Sequence, residues 1–262
     1  SQLDLEDTRS IKPFLENTSP DLIINAAAYT AVDKAEEEPE KAEVINARAP
    51  GLIAEYAAGA NIPIIHYSTD YVFDGCSQTP YTETDPVSPQ SVYGKTKLQG
   101  EELVVNSGAD FLILRTSWVY GLHGNNFLLT MLRLFRERDE LGIVDDQIGA
   151  PTSSNAIAHA TAQIIDSLGA DISLAEHSGI YHLTATGQTS WYGFASAILK
   201  SVEKDGYQCK LKPILTEQYP TPAARPAYSV LDNSKLNSTF NIQLPSWEQQ
   251  LASVMQKWHE KV

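Results

Sequence analysis

The sequence predicts an α/β protein with a doubly wound parallel sheet and a smaller α/β lobe. Two observations predict this fold. Short apolar segments alternate with amphipathic ones over about the first 120 residues, and the apolar segments carry few polar residues along their length. Strands of that composition, separated by helices, are typical of a parallel sheet that is covered on both faces.

The elements of the first half alternate between strand and helix. Apolar runs predict strands, whereas apolar residues at helical spacing predict helices. The predicted elements are a strand entering a loop at 21–30, a helix within 36–60, a strand at 62–70, a helix at 91–108 and a strand at 110–121. Ligands of open parallel sheets bind beyond the carboxyl ends of the strands. The residues that close these strands, 25–30, 68–70 and 116–118, are therefore candidates for a binding site.

The second half is less regular and predicts the smaller lobe. Its predicted elements are helices at 125–141, 154–170, 189–204 and 246–261, a strand at 179–185 and a Pro-rich loop at 219–229.

Charge and cysteine content exclude several classes of function. The chain carries 19 Lys and Arg residues against 33 Asp and Glu residues, a net charge of −14. Such a surface repels nucleic acids and anionic membranes, so neither is an expected partner. Cys76 and Cys209 lack zinc-type spacing and predict no disulfide framework. Because the sequence has no run of about 18 apolar residues and its first residues are acidic rather than signal-like, we expect a soluble cytoplasmic protein.

Tyr93 and Lys97 stand four residues apart at the start of a predicted helix. The pattern alone is a weak indication, because a tyrosine packed at a helix N-terminus beside a solvated lysine would look the same. Thr69 is a third residue that could act together with Tyr93 and Lys97. It closes the strand at 62–70, so its hydroxyl is expected to face the crevice that receives the start of this helix.

Together these three side chains have the chemistry needed to reduce a ketone. Residues i and i+4 lie on one helix face, so the Lys97 ammonium can reach the neighbourhood of the Tyr93 phenol. A nearby cation lowers the pKa of a tyrosine from its reference value of about 10 and makes the phenol a better acid. Thr69 would hold the carbonyl oxygen while Tyr93 protonates it.

Longer strings surround these residues. In order, they are NAAAYTAVDKAE, STDYVFDG, VYGKTKLQGE, RTSWVYG, NNF, DDQIGAPT and RPAYSVLD, between residues 25 and 232. They resemble the dTDP-4-dehydrorhamnose reductase family of the extended short-chain dehydrogenases/reductases. The resemblance implies a Rossmann-like sheet and NADPH or NADH as the cofactor. It also implies reduction of the C4 ketone of dTDP-4-dehydro-L-rhamnose to dTDP-L-rhamnose, a nucleotide-sugar step of cell-surface polysaccharide synthesis.

The resemblance further implies an organisation in two units. Residues 1–146 are expected to form the dinucleotide-binding domain, to which 155–185 return. Residues 147–154 and 186–262 are expected to form mainly the substrate-binding lobe.

Roles for individual residues are also implied by the resemblance. Thr69, Tyr93 and Lys97 fill the catalytic triad, and Lys97 also binds the nicotinamide ribose. The implied cofactor-binding residues are Asp4, Leu5, Ala26, Ala27, Ala28, Thr30, Asn46, Tyr67, Ser68, Tyr93, Lys97 and Thr116. The implied substrate-binding residues are Val32, Thr69, Asp70, Trp118, Asn125, Asn126, Phe127, Gln147 and Arg225.

Several of these residues have an equally plain structural explanation. Asn46 could support a water relay to Lys97 or simply pack a helix, and residues 26–28 could line the cofactor or reflect tight packing of a strand. Trp118 could be a core aromatic or a platform for a sugar. Arg225 lies in a Pro-flanked loop and suits bidentate contact with a diphosphate, but it could be an ordinary surface arginine.

The sequence lacks a strand followed by a glycine-rich turn into a helix, the element that holds the pyrophosphate in dinucleotide-binding domains. About 35–40 residues that relatives carry are missing before the matching segment, judged from the usual length of a βαβ unit. Because the first strand is central in such sheets, its removal would leave unpaired apolar edges. We therefore expect this chain alone to bind NADPH poorly, with the missing elements belonging to a longer natural sequence or to another chain.

Two other functions stay open. A nucleotide-sugar epimerase or dehydratase of the same superfamily would keep Tyr93 and Lys97, although STDYVFDG, NNF and DDQIGAPT favour a reductase. A non-catalytic regulator is the second, because the methionine adenosyltransferase β subunit shares this fold and many of these strings. Some relatives bind Mg²⁺ at a dimer interface. We assign no such ligands and no metal site in this sequence, and a homodimer stays open.

Overall fold

The computed structural model describes residues 3–169 and 173–260. The strands are β1 (Ile23–Asn25), β2 (Ile64–Thr69), β3 (Phe111–Thr116), β4 (Val119–Tyr120), β5 (Glu140–Val144), β6 (Ile148–Gly149), β7 (Thr152–Ser153), β8 (Gly179–His182), β9 (Thr189–Ser190) and β10 (Lys210–Ile214). The α-helices are α1 (Thr8–Thr18), α2 (Val32–Ala35), α3 (Pro39–Glu43), α4 (Ala49–Ala60), α5 (Val92–Asn106), α6 (Phe127–Glu137), α7 (Ser154–Ser167), α8 (Trp191–Val202), α9 (Ser234–Phe240) and α10 (Trp247–His259).

The main sheet consists of β1, β2, β3 and β8, in that order, and every neighbouring pair is parallel. On one face, α1, α4 and α5 pack through buried side chains that include Ile11, Ile53 and Val104. On the other face, α7 and α9 pack through Ile164 and Leu236. Helices on both faces bury most of β2 and β3, which explains why these strands begin with runs of apolar residues. The predicted parallel sheet between helices is confirmed.

A second apolar core lies between α6, α8 and α10. It includes the buried side chains of Leu128, Phe194 and Trp247. The parallel pair β5 and β10 joins this core through Ile143. Two further two-stranded pairs are formed by β4 with β7, which are parallel, and by β6 with β9, which are antiparallel.

We propose that these two cores correspond to the two predicted units, with some exchange of elements between them. Helix α6 and strand β5 fall within the predicted range 1–146 but contribute to the second core. Leu236 and Leu244 fall within the range 186–262 but pack with the main sheet. Residues 1–2, 170–172 and 261–262, which belong to the predicted ranges 1–146, 155–185 and 186–262, lie outside the described residues.

Several elements differ from the sequence predictions. Helix α1 and strand β10 have no counterpart among the predicted elements. A π-helical turn at Val44–Arg48 interrupts the helix expected within 36–60. The helix expected at 125–141 ends at Glu137, because Arg138 turns to an extended conformation and β5 follows. In the described part of the chain, no helix is both long enough and apolar enough to cross a membrane.

The register of the main sheet positions the candidate site. Thr69, the last residue of β2, lies beside Thr116, the last residue of β3. One strand further, Asn25 at the end of β1 lies beside His66 in β2. The polar residues that close β2 and β3 therefore meet at the carboxyl end of the sheet, whereas β1 ends level with His66, three residues before Thr69.

Candidate active site

A cleft of about 620 Å³ opens at the carboxyl ends of β2 and β3. Its walls also include the start of α5, the loop before α6 and part of the Pro-rich loop. The predicted site residues that line it are Thr30, Val32, Ser68, Thr69, Asp70, Tyr93, Thr116, Trp118, Asn125, Asn126, Phe127 and Arg225. The structure therefore brings Thr69 and Tyr93 together with the predicted substrate-binding residues other than Gln147.

The start of α5 lies close against the turn that follows β2. The Ser91 hydroxyl caps the helix by accepting the N–H of Gly94 at 3.1 Å. A β-carbon at Gly94 would collide with the carbonyl oxygen of Tyr71, so a glycine is needed for this close approach. The tight contact brings the neighbouring Tyr93 into the cleft that Thr69 lines.

Thr69, Asp70 and Ser117 form a buried hydrogen-bond network. Thr69 Oγ1 donates to Asp70 Oδ1 at 2.9 Å and accepts the N–H of Tyr71 at 3.2 Å. Ser117 Oγ donates to Asp70 Oδ2 at 3.0 Å. Burial raises the pKa of Asp70 to about 6, although the hydroxyls that donate to its carboxylate oppose the rise. Because Thr69 has a single hydroxyl hydrogen, it must leave Asp70 before it can be donated to a substrate carbonyl oxygen.

The Tyr93 phenol holds its proton firmly in this arrangement. Burial raises the pKa of Tyr93 to about 12; the nearby Thr69 hydroxyl opposes the rise and the Asp70 carboxylate adds to it. Tyr71 packs edge-on against Tyr93, with ring centroids 5.5 Å apart. Tyr93 is therefore protonated at neutral pH, as a proton donor must be, but it is a weak acid.

Lys97 lies deep in the protein, 1% exposed, and its Nζ contacts two residues of β2. Lys97 Nζ donates to the carbonyl oxygen of Tyr67 at 2.6 Å and lies 3.2 Å from His66 Nε2. The predicted lowering of the Tyr93 pKa by Lys97 is therefore not seen in this arrangement, because these contacts hold the cation elsewhere. Burial lowers the pKa of Lys97 itself to about 8, and Glu101 opposes the shift.

Trp118 is held in an unusual conformation. Its φ of 48° lies in the left-handed region, which is rare and costly for a bulky residue. Trp191 stacks on the Trp118 ring with centroids 3.5 Å apart and an interplanar angle of 4°. Trp191 is itself oriented by Gln147, whose Oε1 accepts its Nε1–H at 3.1 Å.

The second face of Trp118 is covered by Gly149. A β-carbon at Gly149 would lie nearest to Cε2 of Trp118. Its distances to Nε1 and Cζ2, the ring atoms on either side of Cε2, would be 2.7 Å and 2.8 Å. Because Cε2 is nearer than both of these neighbours, the β-carbon would lie above the ring and not beside its edge. With Trp191 on one face and Gly149 on the other, only the edge of Trp118 faces the cleft. Both faces of Trp118 thus have protein neighbours, and its role toward a sugar stays a prediction.

Asn46 lies outside the cleft lining, in the π-helical turn. Its Oδ1 accepts the N–H of Tyr29 at 2.8 Å, and its Nδ2 donates to the Tyr29 carbonyl oxygen and to Thr96 Oγ1, both at 3.2 Å. These bonds fasten the loop after β1 to the helices. They favour the packing explanation for Asn46 over a water relay to Lys97.

Other predicted cofactor-binding residues also lie outside the lining. They are Asp4, Leu5, Ala26, Ala27, Ala28, Tyr67 and Lys97. The Tyr67 side chain lies on the face of the sheet that packs against α7, where its hydroxyl lies 2.6 Å from Thr161 Oγ1. Leu5 packs on the apolar layer of α1 and α4, and Asp4 is exposed. The alanines belong to the loop after β1, which Asn25 Oδ1 braces by accepting the N–H of Ala27 at 3.2 Å.

Two predicted substrate-binding side chains already have protein partners. Arg225 Nη2 lies 2.7 Å from Asp33 Oδ2, and this carboxylate also accepts the N–H of Ala223. Asn126 Oδ1 caps α6 by accepting the N–H of Leu129 at 3.2 Å. A diphosphate at Arg225 would therefore compete with Asp33, whereas Asn126 has an established structural task.

Comparison with known proteins supplies the family. Residues 1–260 match the family model described as the RmlD substrate binding domain. The dTDP-4-dehydrorhamnose reductase of Burkholderia thailandensis is 46% identical to the chain over 252 residues, which are 94% of this chain and 85% of that protein. The chain belongs to the dTDP-4-dehydrorhamnose reductase family. Its relatives are oxidoreductases, as the sequence strings predicted.

Solved structures of dTDP-4-dehydrorhamnose reductases share the fold. The structure from Clostridium acetobutylicum is 40% identical, with a TM-score of 0.90 over 98% of this chain and 88% of that chain. The structure from Bacillus anthracis, in complex with NADP, is 34% identical, with a TM-score of 0.89 over 98% of this chain and 87% of that chain. The predicted Rossmann-like fold is confirmed, while the roles of single residues stay predictions.

Sequence reasoning missed three side chains of this reductase-family site, whereas Ser117, directly after β3, was among the residues selected by the strand-end rule. Tyr71 lies within the string STDYVFDG. His66 and Trp191 carry no local signal, because only tertiary packing brings them to Lys97 and Trp118.

Proposed function

We propose that the chain transfers a hydride from NADPH or NADH to the C4 ketone of dTDP-4-dehydro-L-rhamnose, with Tyr93 as the proton donor, and yields dTDP-L-rhamnose. The observation that carries the proposal is that Thr69 and Tyr93 line one cleft at the carboxyl ends of parallel strands. Relatives that are named for this activity share up to 46% of the residues, which supports the substrate.

The cleft suits a polar cofactor. Ser68 Oγ and Thr116 Oγ1 are buried hydroxyls that have no hydrogen-bond partner within the described residues, and both side chains line the cleft. A buried polar group without a partner is costly, so a ligand that bonds these hydroxyls would be stabilised. We expect Thr30, Ser68 and Thr116 to hold NADP(H), which a relative binds. When bound, the reduced nicotinamide supplies the hydride.

Side chains of the protein would stabilise the charge that develops on the ketone oxygen. Tyr93 would donate its phenolic proton to the ketone oxygen, and Thr69 would donate a second hydrogen bond to the same atom. Thr69 must first turn its hydrogen away from Asp70, and Lys97 Nζ must leave the Tyr67 carbonyl. The ammonium near the phenol would then lower the Tyr93 pKa from about 12 and make it a stronger acid.

Substrate recognition would rely on the opposite walls of the cleft. Arg225 would exchange Asp33 for the diphosphate, since a guanidinium bonds phosphate oxygens in a bidentate manner. The Trp118 edge, Asn125 and Phe127 would surround the sugar. Arg225, the one Lys or Arg among the described residues that line the cleft, would let an acidic protein bind an anionic substrate.

The test is an NADPH oxidation assay with dTDP-4-dehydro-L-rhamnose on the full-length protein, as the wild type and as Tyr93→Phe. We expect turnover to fall by at least about a hundredfold, the lower range of general-acid contributions. Tyr56→Phe is the control: its hydroxyl donates to the Leu15 carbonyl oxygen at 3.1 Å, outside the cleft, and the variant should turn over like the wild type. An unchanged rate in Tyr93→Phe removes Tyr93 from the proposed role.

A further inference from the structure

His66 is a buried polar side chain that the proposed mechanism does not use. It lies in β2 on the face that packs against α5, beside Asn25 of β1, and is 0% exposed. His66 Nδ1 lies 3.1 Å from Asn25 Nδ2, and His66 Nε2 lies 3.2 Å from Lys97 Nζ. The imidazole thus joins the end of β1 to the lysine.

The hydrogen bonds around Asn25 assign the proton on His66. Asn25 Oδ1 accepts the N–H of Ala27 at 3.2 Å, so the amide nitrogen is the atom that faces His66 and donates to Nδ1. Burial, together with the charge of Lys97, lowers the pKa of His66 well below its ordinary value, so the ring is neutral. A neutral imidazole that accepts at Nδ1 carries its hydrogen on Nε2, and that hydrogen points at Lys97 Nζ.

The two protonation states of Lys97 respond differently to this neighbour. An ammonium has three donors and no acceptor, so it would face the Nε2–H donor to donor. A neutral amine has a lone pair that accepts the Nε2–H, and it can still donate to the Tyr67 carbonyl oxygen, 2.6 Å away. The contact with His66 therefore favours the amine, in the same direction as burial.

We propose that His66 is a positioning residue that weakens the hold of Lys97 on its third proton while Nζ lies against the Tyr67 carbonyl. The inference rests on the proposed function for its kinetic consequence. If the Lys97 ammonium assists Tyr93, then His66 sets the pH above which that cation is lost and activity declines.

The other titratable groups near Lys97 act differently. Glu101, one turn later on α5, stabilises the ammonium, but its charge is paired with Arg115 of β3. Tyr93 lies one turn earlier and is neutral. Of the titratable groups near Lys97 that the structure describes, His66 is thus the one whose hydrogen bond opposes the charge.

A spectrum of the wild type tests the proton assignment directly. In protein labelled with ¹⁵N-histidine, long-range ¹H–¹⁵N correlation should show His66 as the neutral Nε2–H tautomer at pH 7. Comparison with the spectrum of His66→Gln assigns the signal. An imidazolium or an Nδ1–H tautomer at His66 would overturn the inference.

His66→Gln tests the effect on Lys97. The glutamine amide reaches the place of Nε2 and offers an oxygen that accepts from the ammonium. The titration midpoint of Lys97, followed by ¹³Cε NMR and assigned with Lys97→Met, should rise by about one pH unit or more. His182→Gln is the matched control, since His182 is also 0% exposed but bonds the Asp232 carbonyl oxygen; it should leave the Lys97 midpoint unchanged. A midpoint in His66→Gln equal to or below that of the wild type refutes the proposal.

Kinetics supply a readout that a purely structural role would not move. The alkaline limb of kcat should shift to higher pH in His66→Gln, because a group with a raised pKa keeps its charge to higher pH. The NMR measurements need no substrate, so they decide the role of His66 even if Tyr93→Phe keeps its turnover and the proposed function fails. If His66→Gln does not fold, His66→Asn assigns the His66 signal instead, and the wild-type spectrum decides the question.

Discussion

The buried pair of Arg115 and Glu101 ties β3 to the helix that carries Tyr93 and Lys97. Arg115 Nε donates to Glu101 Oε1 at 2.9 Å and Nη2 donates to Oε2 at 2.6 Å, and the two side chains are 3% and 2% exposed. Glu101→Gln keeps the shape of the side chain but leaves the guanidinium buried without a counter-charge. We expect the free energy of unfolding to fall by about 3–5 kcal/mol, the usual cost of breaking a buried pair on one side.

An exposed pair on α6 provides the control. Arg133 Nη1 lies 2.6 Å from Glu137 Oε2, but these side chains are 59% and 48% exposed. Glu137→Gln should therefore cost only about 0.3–0.5 kcal/mol. Urea unfolding of both variants, followed by tryptophan fluorescence, measures the difference as long as the m value stays constant. Similar small losses in both variants would refute the reasoning that burial makes the first pair costly to break.

Three further predictions concern the walls of the cleft. Trp191→Ala uncovers one face of Trp118; it should lower the free energy of unfolding by at least about 0.5–1.5 kcal/mol, the contribution of an aromatic pair, and abolish the circular-dichroism signal of the stacked pair, which Trp258→Ala should preserve. An intact signal in Trp191→Ala would contradict the stack. Gly149→Ala should lower the free energy of unfolding by about 1–3 kcal/mol, because the added β-carbon overlaps Trp118. Gly59→Ala on α4 is the control: it has open space around it and should not destabilise the protein. Equal melting temperatures of the two variants would count against the overlap. The pKa of Asp70 is about 6 when folded, so its favourable contribution is present below about pH 4 and is lost as the pH rises through about 6. Asp70→Asn should therefore be more stable than the wild type at pH 7.5, by at most roughly 3 kcal/mol, and equal to it near pH 4; a gain that does not change with pH would contradict this explanation.

Much of the fold follows from local patterns in the sequence. The apolar runs that became β2 and β3 are buried on both faces, and the Ser91 cap with its glycine three residues later begins α5 where the pattern placed it. The elements without a predicted counterpart have physical reasons. In β10 the residues Lys210 to Ile214 are largely exposed and include a proline, so this strand exists because β5 pairs with it.

Which residues line the cleft was also predictable, but the protonation and hydrogen bonds of their side chains were not. The strand-end rule and the family strings selected Thr69, Tyr93, Trp118 and Arg225, all of which line the cleft. Asn46 was a choice between two tasks, and its bonds to Tyr29 favour the packing task. Sequence spacing cannot decide such a choice, because it depends on which polar atoms of distant segments lie within about 3 Å.

The sequence by itself determined the strands of the main sheet, helix α5, the family, and the residues that close β2 and β3. Tertiary structure alone decided how these residues are protonated and directed. The spacing of Tyr93 and Lys97 predicted a cation beside a phenol, yet Tyr67 and His66 of β2 hold Lys97 Nζ, and burial raises the Tyr93 pKa to about 12. Helical spacing is a property of one segment, whereas a proton's position is set by the low dielectric and the hydrogen-bond partners that several segments bring together.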